Sequence, residues 1–216
     1  MRSRFDEQLA LLNRKMIEMG ALCEEVIAAA AKALMTGDTA LATQVAPRAA
    51  EIDHQERDIE ALCLKLLLQQ QPVARDLRQI SAALKMITDM ERIGDQAEDI
   101  AEIIGFLGGR SGEECDYIGH MARSAISMVT GSVDAYEHRD TVLAQEVIAR
   151  DDVVDEDFKR VKDTLIQWIA HRPDDGEYAL DLLMIAKYFE RIGDHAVNIA
   201  EWVVFAVTGV HKEEDA

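Results

Sequence analysis

Pairs of acidic residues stand in this sequence at positions where a helical protein normally places apolar side chains. Asp151 and Asp155 are four residues apart, and so are Glu190 and Asp194. On an α-helix this spacing puts both members of a pair on one face, one turn apart. Carboxylates that face one another repel and lose hydration. Such a set therefore needs protons, basic partners or bound cations to offset its cost.

The first half of the chain carries a related acidic set. Glu91 and Asp95 repeat the four-residue spacing, and Asp53 stands 102 positions before Asp155. Ligand sets made of carboxylate oxygens favour hard or borderline cations. The candidate ions are divalent or trivalent: Fe, Mn, Mg, Zn and Ca. The candidate metal ligands are Asp53, Glu91, Asp95, Asp151, Asp155, Glu190 and Asp194.

The same acids have a simpler explanation, which the sequence leaves open. A single Glu-x-x-x-Asp pair is usually a solvated helix face, and Arg92 and Arg191 offer salt-bridge partners. His54 and His195 each follow an acid directly, but neighbouring helical residues point about 100° apart, which makes these histidines weak ligand candidates. The acidic faces continue through further residues that extend either site: Glu98, Asp99, Glu102, Asn198 and Glu201.

Both acidic sets lie in an internal repeat. Residues 91–102 read ERIGDQAEDIAE and residues 190–201 read ERIGDHAVNIAE, with nine of the twelve positions identical. Their separation of 99 residues is much longer than a solenoid repeat of roughly 20–50 residues. The chain is therefore interpreted as two copies of one unit.

Apolar residues recur every three or four positions along most of the chain, which predicts long helices. Six are expected, at about 5–35, 39–70, 73–107, 114–138, 140–171 and 177–208. Pro47 indicates either a kink in the second helix or the start of its regular part. The predicted fold is all-α, with two tandem three-helix bundles at residues 1–109 and 113–210, separated by a glycine-rich linker.

The composition narrows the class of function. The formal net charge is −18, which disfavours nucleic-acid binding, because that requires a basic surface. The three cysteines form no CxxC pair, and Cys23 and Cys63 are expected in the core; this usage favours a reducing compartment. No apolar segment resembles a signal peptide or a membrane span. A cytoplasmic protein is expected, and no motif indicates that it is an enzyme.

The repeated segments are similar to those of the PhoU family of phosphate-transport accessory and regulatory proteins. The resemblance covers the whole chain. It depends on QPVARDLR at 71–78, ALKMITDMERIGDQAEDIAE at 83–102 and LLMIAKYFERIGDHAVNIAEWVVF at 182–205. The resemblance implies two three-helix bundles with metal clusters on the paired acids. Where the family often has an acid, this chain has Ala49, close to Pro47, which shortens one arm of the first site.

The resemblance also implies a function and partners. It implies a non-enzymatic cytoplasmic adaptor that restrains phosphate uptake and the starvation response. Its partners would be the ATPase of the phosphate ABC transporter and a membrane sensor histidine kinase, and membrane association would occur only through them. The alternative is a carboxylate-bridged metal enzyme or a metal-storage protein. A homodimer is expected from the family and from the apolar residues Trp202 and Phe205.

Overall fold

The computed structural model describes residues 2–70, 72, 74–111 and 116–210, and this part of the chain is helical with no strand. The described residues form seven α-helices and one short 3₁₀ turn, Pro173–Asp175. The helices are α1 Arg2–Thr36, α2 Thr39–Ala42, α3 Val45–Gln70, α4 Ala74–Phe106, α5 Asp116–His138, α6 Thr141–His171 and α7 Gly176–Thr208. The predicted all-α class is confirmed. The predicted helix starts at 73 and 114, Gln71 and Val73 of the QPVARDLR motif, and Cys115 lie outside the described residues.

The helices form two sets of three long helices. In the first set α1, α3 and α4 contact one another, and in the second set α5, α6 and α7 do so. The sets meet where α4 packs on α7 and α1 packs on α5. The predicted apolar stripes supply the core, and Cys23 and Cys63 are buried, as expected. None of the described helices is long and apolar enough to cross a membrane.

The second predicted helix is divided in two. The single turn α2 ends at Ala42, and α3 begins at Val45, so that Pro47 lies in its first turn. Proline is tolerated there because the amide N–H groups of a first helical turn have no partner within the helix. Of the two interpretations of Pro47, the structure therefore shows the helix start and not the kink.

Matching turns connect the first two long helices of each set. Asp38 accepts from Leu41 N at 3.0 Å, and Asp140 accepts from the amides of Val142 and Leu143 at 2.9 and 3.0 Å. In each turn the residue before the aspartate has a left-handed backbone, with φ of 66° at Gly37 and 54° at Arg139. These capping contacts end one helix and start the next.

We expect Gly37→Ala to be among the more destabilising single substitutions in the first bundle. An added Cβ would lie 2.4 Å from the carbonyl oxygen of Gly109, and the residue would also hold a positive φ. The expected loss in the free energy of unfolding is about 2–4 kcal/mol. Urea denaturation followed by far-UV circular dichroism measures it. Gly105→Ala is the control: nothing lies within 4 Å of its added Cβ, and we expect no loss of stability. Equal stability of the two variants would contradict the role given to Gly37.

Candidate metal centres

The repeat aligns two pairs of adjacent helices so that their acidic faces meet. In the first bundle α3 carries Asp53, and α4 carries Glu91 and Asp95. In the second bundle α6 carries Asp151 and Asp155, and α7 carries Glu190 and Asp194. All seven belong to helices whose packing fixes the backbone, so each acid is positioned by the apolar stripe beside it.

The first acidic set is the more closely assembled one. Asp53, Glu91 and Asp95 are half-buried, and each has a carboxylate oxygen that lies within 4.8 Å of one from each of the others. Burial and the charge of Asp95 raise the pKa of Glu91, against the opposing effect of Arg92. Arg92 lies 3.0 Å from Oδ2 of Asp95 and 3.4 Å from Oε2 of Glu91. One guanidinium thus partly compensates two of the three carboxylates.

The second acidic set has a buried carboxylate oxygen at its centre. Oδ1 of Asp151 is inaccessible to solvent and has no hydrogen-bond partner among the described residues. It lies beside Gly193 of α7, where an added Cβ would be 3.5 Å away, an ordinary van der Waals contact. Burial, followed by the charges of Asp194, Asp155 and Glu190, raises the pKa of Asp151 to about 6. The charges of the three other acids therefore disfavour the ionised form of Asp151.

A lysine distinguishes the second set from the first. Nζ of Lys187 donates to Oε1 of Glu190 at 2.6 Å, and its charge lowers the pKa of Asp194, which burial and Glu190 raise. The equivalent position in the first repeat is Thr88. Among the described residues, only the first set has three ligand atoms mutually within 4.8 Å. The ion pair accounts for part of this difference, because it engages Glu190.

His195 and Asn198, two of the weaker candidate ligands, have partners on the other bundle. His195 Nδ1 lies 2.9 Å from Oδ1 of Asp89, and Asn198 Nδ2 donates to the same oxygen at 3.0 Å. Both contacts join α7 to α4 across the two bundles. In the reverse direction Tyr188 of α7 interacts with Asp99 of α4 and opposes the burial that raises the pKa of Asp99. These residues hold the bundles together, and we exclude His195 and Asn198 from the candidate ligands.

Asp89 was missed by sequence reasoning although a signal for it existed. At the repeat offset of 99, Asp89 corresponds to Tyr188, and Asp99 corresponds to Asn198. The two pairs are therefore equivalent contacts across a pseudo-twofold axis, made by different side chains. The sequence shows four polar residues at matched positions but not that α4 and α7 contact each other there.

The donor set fits a bound cation. Hard cations are bound by carboxylate oxygens, and a cation would provide a partner for the buried oxygen of Asp151 while reducing the repulsion that raises its pKa. In the first set the same chemistry would involve Asp53, Glu91 and Asp95. Binding of cations is chemistry that carboxylate groups in this arrangement can support.

We expect Asp151→Asn to stabilise the metal-free protein at neutral pH. Because the folded-state pKa of Asp151 lies above its ordinary value of 3.8, the folded state holds this proton longer than the unfolded state. The contribution of Asp151 to stability therefore falls as pH rises from about 4 to about 6 and is then constant. A two-unit shift corresponds to about 3 kcal/mol for a fully buried group, and partial exposure reduces the expected gain at pH 7 to about 1 kcal/mol.

The test is urea denaturation of both proteins in chelator between pH 4 and pH 8. The difference between the two proteins in the free energy of unfolding should be small at pH 4 and should reach its full value above pH 6. A variant that is less stable than the wild type at pH 7 would contradict the assignment.

Known proteins resemble the whole chain. The family model described as "PhoU domain" matches residues 16–104 and 118–203. A phosphate-specific transport system accessory protein PhoU homolog of Clostridium acetobutylicum is 34% identical over 210 residues, 96% of each chain. The homolog of Synechocystis, with the same description, is 36% identical over 211 residues, 96% of this chain and 93% of its own.

Solved structures agree with this match. The crystal structure of PhoU from Pseudomonas aeruginosa superposes with a TM-score of 0.92 at 33% identity and covers 95% of this chain and all of that one. The phosphate transport system regulatory protein PhoU from Streptococcus pneumoniae gives a TM-score of 0.85 at 24% identity, which supports the fold alone. With the family match spanning both repeats, this chain belongs to the PhoU family.

Proposed function

We propose that this protein is a cytoplasmic regulatory adaptor of phosphate transport that represses phosphate uptake and the starvation response. The observation that carries the proposal is the similarity, over 96% of both chains, to an accessory protein of the phosphate-specific transport system. The proposed role is regulatory and not catalytic. The fold is compatible with it, because long packed helices provide stable surfaces for partner proteins.

The proposed partners are the ATPase of the phosphate ABC transporter and a membrane sensor histidine kinase. An adaptor connects these two by binding each through a different surface. With a net charge of −18, the protein is suited to partner surfaces that are basic. Membrane association then occurs through these partners. The homodimer also remains a proposal: Trp202 and Phe205 contact each other edge to face, with ring centroids 5.6 Å apart, and both are half-buried in the single chain.

Metal ions are part of the proposal. Asp53, Glu91 and Asp95 would hold one centre, and Asp151, Asp155, Glu190 and Asp194 the other. A bound cation would reduce the repulsion among the carboxylates and connect neighbouring helices, so its proposed effect is on the packing of each bundle. The buried oxygen of Asp151 without a partner is the main support for the second centre.

Deleting the gene in its own host tests the adaptor function. In phosphate-rich medium we expect the deletion strain to produce alkaline phosphatase, and the wild-type gene on a plasmid should restore repression. An otherwise identical empty plasmid is the control. Phosphatase that stays repressed in the deletion strain would contradict the proposal. A metal-storage protein would instead leave phosphatase unchanged and lower the metal content of the cells.

A further inference from the structure

A cavity of about 420 Å³ lies where the two bundles meet, away from the seven acidic residues. It is lined by residues of α1, α4, α5 and α7 and by Arg139 in the turn after α5. One wall is apolar and includes Ile17, Val203 and Val207. Asn13, Gln79, Tyr136 and Arg139 also line the cavity, and we call these four side chains its polar wall. A cavity between two bundles, with one apolar and one polar wall, is a typical place for a small ligand.

The polar wall is an ordered network of hydrogen bonds. Oδ1 of Asn13 accepts from Gln79 Nε2 at 2.7 Å and from the Tyr136 hydroxyl at 2.8 Å. Oε1 of Gln79 accepts from Nη2 of Arg139 at 2.7 Å. Gln79 is only 5% exposed and Tyr136 only 7%. Burial of these groups in a connected network fixes the positions of all four side chains.

The hydrogen bonds of this network engage its amide oxygens as acceptors and leave several N–H donors without a partner among the described residues. The amide oxygens of Asn13 and Gln79 are engaged by protein donors. The amide nitrogen of Asn13 and most N–H groups of Arg139 remain, since a guanidinium carries five. Arg14, which also lines the cavity, makes no ion pair or hydrogen bond with a described residue. A wall with surplus donors is complementary to a ligand that supplies acceptor oxygens.

The backbone conformation of Arg139 is one that an arginine rarely adopts. Its φ of 54° is the only positive value among the described non-glycine residues, and the equivalent residue of the first repeat is Gly37. Glycine would adopt this conformation without strain, whereas arginine does so at a cost. The arginine side chain makes a contact that glycine could not make, a hydrogen bond to Gln79 at the cavity wall.

We propose that this cavity binds a small organic anion with a carboxylate or phosphate head and a short apolar part. The head would be bound by Arg139, Asn13 and Arg14. The apolar part would lie against the apolar side chains of Ile17, Val203 and Val207. Glu18 and Glu137 also line the cavity, and both are exposed. Arg14 is exposed as well, whereas Arg139 is half-buried, so the least exposed charged group of the cavity is positive.

Calorimetric titration with four probes tests the proposal: hexanoate, hexyl phosphate, inorganic phosphate and hexanol. We expect at least one of the two amphipathic anions to bind with a Kd below about 1 mM. Inorganic phosphate lacks the apolar part and hexanol lacks the anionic head, so each should bind at least about tenfold more weakly. The hexanoate and hexyl phosphate titrations identify which head group is preferred. Absence of saturable binding by both amphipathic anions, or equal affinity for hexanol, would overturn the proposal.

Arg139→Gly is the decisive variant, because glycine suits the backbone of this position. It should weaken the binding of the preferred anion at least about tenfold without loss of stability in urea. Arg14→Ala, at an exposed position, should weaken binding as well. Arg123→Ala removes an arginine of α5 that does not line the cavity, and it should bind as the wild type does. Unchanged affinity in Arg139→Gly would overturn the proposal. None of these outcomes depends on phosphate regulation or on the metal centres.

Discussion

Replacing Glu190 and Asp194 together by Gln and Asn should abolish metal binding at the centre proposed for the second bundle. The two substitutions retain side-chain size but take two negative charges from a set of four. We expect the affinity for Mn²⁺ or Fe²⁺ at this centre to fall by at least about 100-fold. Metal content of the purified protein, measured by plasma mass spectrometry, should fall to that of the first bundle alone.

The stability of this double variant distinguishes an effect on metal binding from an effect on folding. Because the acids repel each other when no metal is bound, the metal-free variant should unfold at the same urea concentration as the wild type or a higher one. The matched control is Glu146→Gln with Asp163→Asn, which removes two exposed charges elsewhere on α6. The control should retain its metal. Equal metal content in the wild type and the Glu190/Asp194 variant would show that these residues are not ligands.

Ala49→Asp should give the first bundle a fourth carboxylate. Ala49 is 3% exposed and stands where the second repeat has Asp151. The new side chain would approach Asp53, Glu91 and Asp95 as Asp151 approaches its own neighbours. We expect metal affinity at this centre to rise about tenfold or more. Without metal, the buried carboxylate should lower the free energy of unfolding by about 2–3 kcal/mol.

Ala49→Asn is the control for this substitution. Its side chain has the same size and is neutral, so it should destabilise the protein without improving metal affinity. Added Mn²⁺ should therefore restore the stability of Ala49→Asp and not that of Ala49→Asn, in parallel urea titrations. Similar responses of the two variants to Mn²⁺ would contradict the placement of position 49 at the first centre.

The fold could be predicted from the sequence because it depends on regular patterns. Apolar residues every three or four positions define long helices, and the repeated segments at 91–102 and 190–201 define two equivalent units. The break between α2 and α3 could not be predicted from such a pattern. Pro47 is compatible with a kink or a helix start, and the choice depends on backbone packing around Val45, which a sequence pattern does not contain.

The acidic residues could be predicted, but their contacts could not. Glu190 and Asp194 are conspicuous because they interrupt an apolar stripe at helical spacing. That Lys187 engages Glu190 depends on side-chain conformation, since lysine has several rotamers that reach different neighbours. The pairing of Asp89 with His195 depends on the relative position of two helices from different bundles. Helical periodicity gives the face of a residue but not its height relative to another helix.

Arg139 shows a third reason for incomplete prediction. The sequence His138-Arg139-Asp140 contains no glycine to indicate a left-handed residue. Only alignment with Thr36-Gly37-Asp38 at the offset of 102 would have suggested one. The cavity beside Arg139 brings together side chains 60 and 66 positions apart in the chain. Contacts of that kind come from the packing of the bundles and leave no local pattern.

The most direct test of the adaptor function is affinity capture of the tagged protein from its own cells grown in excess phosphate. Mass spectrometry should identify the ATPase of the phosphate transporter or a sensor histidine kinase among the captured proteins, enriched over a tag-only control strain. The cell extract must contain both partners at detectable levels. Recovery of either partner would support the proposed adaptor function, and capture of neither from such an extract would contradict it.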